Sequence, residues 1–250
     1  RLNHSVFNVT GDMPDVNKPF FDIRVTSTYL DMDDIILLSG INARKRKKST
    51  SGEELSLKAS VYANRGKINS IPCSELSTTL TYRQRTMDIA ALEMNAFNGG
   101  FSGKGHIVFP KDSAAQYNVD FIISKMSAEQ ILKHAGSERV SIKGTLTMKG
   151  DLTAEGATLS DLKKTARGTA TVLMEKGSLN KFAVLSKVFS ILNVSQLLKF
   201  QLPDMVTVGM PFTSINGKFF LEDGILSSDD LFIKSDSMNI SVVGTTDILR

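Results

Sequence analysis

The sequence predicts a mainly β fold, an irregular meander of two-faced strands with a few short helices and one longer amphipathic helix. Three observations carry this expectation. Apolar residues recur at every second position over several stretches, short polar stretches containing a glycine separate them, and helical spacing is confined to four segments. The 250 residues suffice for one large or two modest cores, and a composition 41% hydrophobic and 22% charged lies outside the disordered class.

The elements follow in chain order. Phe21, Ile23 and Val25 alternate with Asp22, Arg24 and Thr26, which predicts a strand with one apolar face. Asp31 to Leu38 (DMDDIILL) reads as a short helix capped by Asp31. Residues 42–54 hold no large apolar side chain and read as a mobile basic loop. Leu55, Leu57, Ala59 and Val61 mark the next strand; Met87 to Ala96, Gly105 to Phe109 and the alternation Tyr117, Val119, Phe121, Ile123 mark three more. Ser127 to His134 reads as a helix with a Ser cap and a stop at Gly136, and Thr158 to Thr165 as another. The longest helical pattern spans about residues 180–202. Its stripe of Phe182, Leu185, Val188, Phe189 and Leu192 is widened by Val184, Ile191, Val194, Leu197 and Leu198 beyond half the circumference. So wide a stripe must be covered on two sides or face something apolar, which predicts a capping or gating helix. Met238, Ile240 and Val242 give a last strand.

Four stretches of one form, Asn64-Arg65-Gly66, Met148-Lys149-Gly150, Glu175-Lys176-Gly177 and Glu222-Asp223-Gly224, are expected to be hairpin turns in which glycine supplies a positive φ. The ten residues Ala96 to Gly105 (AFNGGFSGKG) pose a sharper choice. A phosphate-binding loop needs four residues between its first Gly and the Gly-Lys pair, then Ser or Thr, with a helix behind it. Here three residues separate Gly99 from Gly103-Lys104, Gly105 follows, and strand follows that. The stretch therefore reads as a hairpin or bulge.

Charge and reactive groups point away from catalysis and nucleic acid. The net charge is +4, but Arg44 to Lys48 (RKRKK) alone carries +5, leaving −1 elsewhere. That run fits a solvated loop or a contact to anionic head groups, not a basic face threaded with aromatics. His4, His106 and His134 show no metal-ligand spacing. Asp31, Asp33 and Asp34 fit helix capping, Asp229-Asp230 fits a turn, and neither matches a calcium loop. The single Cys73 reads as a buried, inert thiol. No catalytic residue, cofactor site or metal site is assigned, so an enzyme is not expected. No run of eighteen apolar residues occurs, and the chain reads as a piece of something longer.

The order of the glycine turns and apolar strands resembles the bacterial AsmA-like family of AsmA, TamB and YhdP types, over most of the chain except residues 42–54. The resemblance lies in GDMPDVNKPFFDIRVTSTYLDMDDIILL at residues 11–38, in MDIAALEMNA at Met87 to Ala96 followed by the AFNGGFSGKG turn, in GTATVLMEKGSL from Gly168, in the helical pattern of Val184 to Val194, in Gly209 to Phe219, and in LEDGIL from Leu221. It implies the C-terminal region of a periplasmic protein anchored in the inner membrane, built as a long curved antiparallel β-meander, a groove or half-barrel with an apolar concave face. It also implies a part in moving phospholipid to the outer membrane; older assignments link the family to outer-membrane protein assembly. The family's N-terminal membrane helix does not occur in these residues.

Elementary physics agrees with a groove. Two-faced strands with few helices to cover them must curl on themselves or leave an apolar trough, and a large uncovered trough is a binding surface. Acyl chains would fill it, at about 0.8 kcal/mol per buried CH₂. The expected lining is Phe21, Ile23, Val25, Leu57, Ala59, Val61, Val119, Phe121, Ile123, Phe219, Leu221, Ile240 and Val242. The same side chains would equally fill a closed barrel or sandwich core. The expected partners are phospholipid or another acyl-chain lipid, with the membrane surface and outer-membrane assembly proteins next; docking through sheet edges is the alternative mode.

Overall fold

The computed structural model describes residues 5–13, 20–31, 56–68, 70–136, 141–180, 210–236 and 239–249. Strand accounts for 79% of them. Twelve strands run in chain order through one sheet, each hydrogen-bonded to the next, with β1 (Val6–Asp12) at one edge and β12 (Asn239–Asp247) at the other. Between them lie β2 (Phe20–Asp31), β3 (Ser56–Ile68), β4 (Ile71–Arg83), β5 (Thr86–Ala96), β6 (Gly99–Val108), β7 (Ala115–Ser127), β8 (Ser141–Gly156), β9 (Arg167–Asn180), β10 (Met210–Glu222) and β11 (Ile225–Lys234). Among the described residues two seven-residue helices interrupt them, α1 (Ala128–His134) and α2 (Leu159–Thr165), and both pack on β8. The mainly β meander is thus the observed fold. One pair departs from the antiparallel pattern: β2 and β3 are parallel, with Ile23 opposite Ala59 and Val25 opposite Val61. Twenty-four residues separate Asp31 from Ser56 in the chain, more than the dozen that a parallel connection needs. The expected helix after Asp31, the 42–54 loop and the 180–202 helix with Phe182, Leu185, Val188, Phe189 and Leu192 lie outside the described residues, except that Asp31 itself ends β2 and Asn180 ends β9.

The chain divides into two compact units, one of Arg1–Ala96 with Gly100–Val119, the other of Phe97–Gly99 with Asp120–Arg250.

Local chemistry explains the short helices. Ser127 has extended dihedrals and its side chain accepts from the Gln130 N–H at 3.4 Å, while Gly136 takes φ +72° just beyond the helix. Lys133 and His134 close the last turn, where cations complement the helix dipole. In α2 the Thr158 hydroxyl accepts from the Asp161 N–H at 3.2 Å, and the Asp161 carboxylate accepts from the Thr158 N–H at 3.0 Å, a complete capping box.

The hairpin expectations need correction. Of the four polar-glycine stretches, only Asp223-Gly224 is a tight turn, with φ of 49° and 83°. Gly66 lies inside β3, Gly150 inside β8 and Gly177 inside β9. They serve close approach, not turning. A Cβ on Gly66 would sit 2.5 Å from the Leu30 carbonyl oxygen, and one on Gly150 would sit 2.5 Å from that of Thr169 and 3.0 Å from the Phe121 ring. AFNGGFSGKG is a hairpin, as expected, but its turn residues are Phe97 and Asn98 at φ 50° and 62°. Asp229-Asp230 is not a turn either; it lies in β11 where the register with β12 shifts, and the Asp230 carboxylate accepts the Lys218 N–H at 2.6 Å.

Candidate functional site

Register converts the alternating patterns into continuous rows. In the first unit Phe21, Leu57, Tyr82 and Met87 stand opposite one another across β2 to β5, the next row is Ile23, Ala59, Leu80 and Ile89, and the next Val25, Val61, Thr78 and Leu92. The rows continue: a Cβ on Gly105 would lie 3.8 Å from Ile89 Cδ1 and 3.7 Å from Val119 Cγ2, which puts Val119 on the same side. Directly paired residues share a face, so seven of the expected lining positions fall together. Apart from Ala59, which is buried, these seven side chains are half-buried, and the unit has no helix among its described residues. The opposite face carries Arg24, Lys58, Ser60, Thr79 and Asp88, with His106 Nδ1 2.6 Å from Asp88 Oδ1.

The second unit repeats the construction with a different outcome at each end of its strands. Leu146, Met174, Ile215, Ile233 and Ile240 form one row across β8 to β12. Ile240 and Val242, expected on an open face, are buried at 6% exposure each in a packed cluster with Leu179, Met210, Phe212 and Ile233. Toward the other end the row is Gly150, Ala170 and Phe219, with the Phe121 ring over Gly150, followed by Leu152, Gly168, Leu221 and Leu226. Phe121, Ile123, Phe219 and Leu221 are half-buried there. The outward row is Lys149, Thr171 and Lys218, and the Lys218 ammonium lies 4.9 Å from the Phe220 ring centroid.

Three strands change which parity faces the apolar side at one level. In the first unit Ser27, Ala63 and Leu76 face it, and so do Leu30, Gly66 and Cys73, three residues further along their strands; Glu75 between them has φ 51°. Alternation alone misses this switch, because a bulge restores pairing only through its neighbours. The buried residues beyond it, Leu30 at 0% and Cys73 at 7%, follow from it. Burial pushes the Cys73 thiol up from its ordinary pKa, as an inert thiol requires.

The polar groups form local ties, not a reactive constellation. Arg167 grips the Asp223 carboxylate with both Nε (3.1 Å) and an Nη (2.9 Å), which lowers the pKa of Asp223. Tyr62 donates to Glu75 at 2.8 Å, and that hydrogen bond raises the phenol pKa. Lys67 lies 3.2 Å from Asp31 at the end of β2. Among the described residues no group of three or more His, Cys, Asp or Glu could hold a metal ion.

No protein of curated function and no solved structure matches the chain. The family model described as "YhdP protein" matches residues 7–250, from β1 to the last residue, and so takes in both units with their two-faced strands. The chain belongs to the YhdP protein family.

Proposed function

We propose that this chain is a lipid-binding module of the periplasm that takes part in moving phospholipid between the inner and outer membranes, in a parent protein anchored in the inner membrane. The observation that carries the reading is the set of half-buried apolar rows in each unit, running through Ile23, Ile89 and Val119 in one and Phe121, Phe219 and Leu221 in the other. Family membership supports it. Side chains left half in water gain when a hydrocarbon chain lies along them, by about 0.8 kcal/mol for each CH₂ covered. Phe21, Val25, Leu57, Ala59, Val61 and Ile123 belong to the same proposed lining. Ile240 and Val242, expected in that lining, are packed core and are left out of it. Head groups remain in water, and chains slide along the rows without a fixed polar site.

The test is a photo-reactive amino acid placed singly at Ile89, on the apolar side, and at Ala91, exposed and paired with Thr79 on the other. Crosslinking in cells followed by mass spectrometry should find phospholipid on the first and not on the second. Crosslinks to outer-membrane assembly proteins along β1 and β12, with no lipid at Ile89, would replace this reading with edge docking.

A further inference from the structure

In the first unit a cluster of polar and aromatic side chains stands on the face opposite the apolar rows. Three neighbouring strands each turn two consecutive residues to that face at one level. Thr28 and Tyr29 do so on β2 between buried Ser27 and Leu30, Asn64 and Arg65 on β3 between buried Ala63 and Gly66, and Ser74 and Glu75 on β4 between buried Cys73 and Leu76. Tyr29, Arg65 and Ser74 pair straight across the three strands. A regular strand shows only every second side chain to one face, so this shared irregularity crowds hydrogen-bonding groups together, as bulges next to functional sites do. Glu75 takes a left-handed φ of 51° without being glycine, a conformation that persists only where its surroundings hold it. Its carboxylate accepts the Tyr62 hydroxyl at 2.8 Å and so fixes that ring. Tyr62 is 41% exposed and Tyr29 37%, high for aromatic side chains with neighbours on both sides. Glu93 continues the row of Tyr62 through Ser77. Two carboxylates thus outweigh one guanidinium, which disfavours phosphates and polyanions, and the surrounding hydroxyl and amide groups disfavour hydrocarbon. What fits is an uncharged ring with one apolar face and a rim of hydroxyls: the face stacks on tyrosine, and the rim meets guanidinium, carboxylate and amide. Rise per residue and strand spacing put Tyr29 and Tyr62 about 11 Å apart, the reach of two linked sugar rings.

We propose that this face is a second binding site, which takes a linear oligosaccharide of uncharged pyranose sugars, two of its rings resting on Tyr29 and Tyr62 and the hydroxyls between them held by Arg65 and Glu75. The hydrogen bond from Tyr62 to Glu75 sets one ring before the sugar arrives, which lowers the ordering cost of binding. The site lies across the sheet from the apolar rows and does not depend on the lipid-binding reading.

The test is a ligand-observed NMR titration of the purified chain with chitotetraose, cellotetraose and maltotetraose. At least one should bind with a Kd below about 1 mM. Tyr29→Ala and Tyr62→Ala should each weaken it by about 10-fold, the scale of one lost ring contact. Lys58→Ala, on the same face but toward the other end of β3, should leave it unchanged. Glu75→Gly removes the carboxylate together with the backbone strain, so it should weaken binding by about 5-fold while the urea midpoint stays level or rises; lost fold cannot then explain lost binding. If none of the three sugars binds at about 10 mM, or if binding survives both alanine variants, the proposal is overturned. Tighter binding of a sulfated oligosaccharide than of its neutral parent overturns the uncharged class. Photo-crosslinks from Thr26 to protein in cells, without sugar binding by the purified chain, replace the site with a protein-docking surface.

Discussion

Gly66 shows how a single residue can be misread and why. Its sequence surroundings are those of a turn, yet it stands mid-strand because the Leu30 carbonyl of β2 leaves 2.5 Å where a Cβ would go. Gly66→Ala should therefore destabilise the chain by about 3 kcal/mol, read as a lower urea midpoint. Gly136→Ala should cost about 1 kcal/mol, for backbone conformation alone: its φ is +72° but nothing lies within 4 Å of the added carbon. Equal losses at the two sites would refute the close-approach account. Cys73 is buried, as the sequence suggests. Buried and with its thiol pKa raised, it should react with a thiol reagent at least about 100-fold more slowly in the folded chain than in urea.

At the scale of elements, the helices were legible and most turns were not. Ser127 and Thr158 declare α1 and α2 because capping is a contact within four residues of the chain. Thr158→Ala should cost about 1 kcal/mol and weaken the amide protection of Leu162, whose N–H donates to the Thr158 carbonyl. Asp161 accepts from Thr158 through both its hydroxyl and its N–H, which lowers its pKa. A carboxylate whose pKa is lower folded than unfolded adds stability above its unfolded pKa, near 4, and loses it as pH falls through the folded value. Asp161→Asn should accordingly lower the thermal midpoint at pH 7 and make no difference near pH 2; an equal effect at both would refute the capping role. Asp223, held down by Arg167, has the same sign. The turns at Gln84-Arg85 and Phe97-Asn98 have positive φ at residues with no glycine, and Arg85 is fixed there by hydrogen bonds to the carbonyls of Phe109 (2.6 Å) and Pro110 (2.9 Å), from another strand's end. Nothing local announces the turn at Gln84-Arg85, whereas the glycines that follow Asn98 mark the hairpin at Phe97-Asn98.

For the molecule as a whole, the proposed function turns on which side of a strand a charge is placed. Ile89→Lys should reduce copurifying phospholipid by roughly 10-fold, since it sets an ammonium on the apolar side beside Leu80 and Val119. Ala91→Lys, two residues along and paired with Thr79 on the other face, should leave lipid content unchanged. Circular dichroism and urea midpoints of both variants separate lost binding from lost fold. Loss of lipid from neither would sink the groove.

The sequence by itself determined the two-faced strands, because side-chain alternation is a property of each strand alone, and it determined the two capped helices for the same local reason. It set Phe21, Ile23 and Val25 on one face of their own strand, and Leu57, Ala59 and Val61 on one face of theirs. Only the tertiary structure decided that β2 and β3 are parallel, that Gly66, Gly150 and Gly177 lie inside strands, and that Ile240 and Val242 are packed core while Phe219 and Leu221 stay half-open. Those outcomes depend on register, and register is set by hydrogen bonds and packing between residues far apart in the chain.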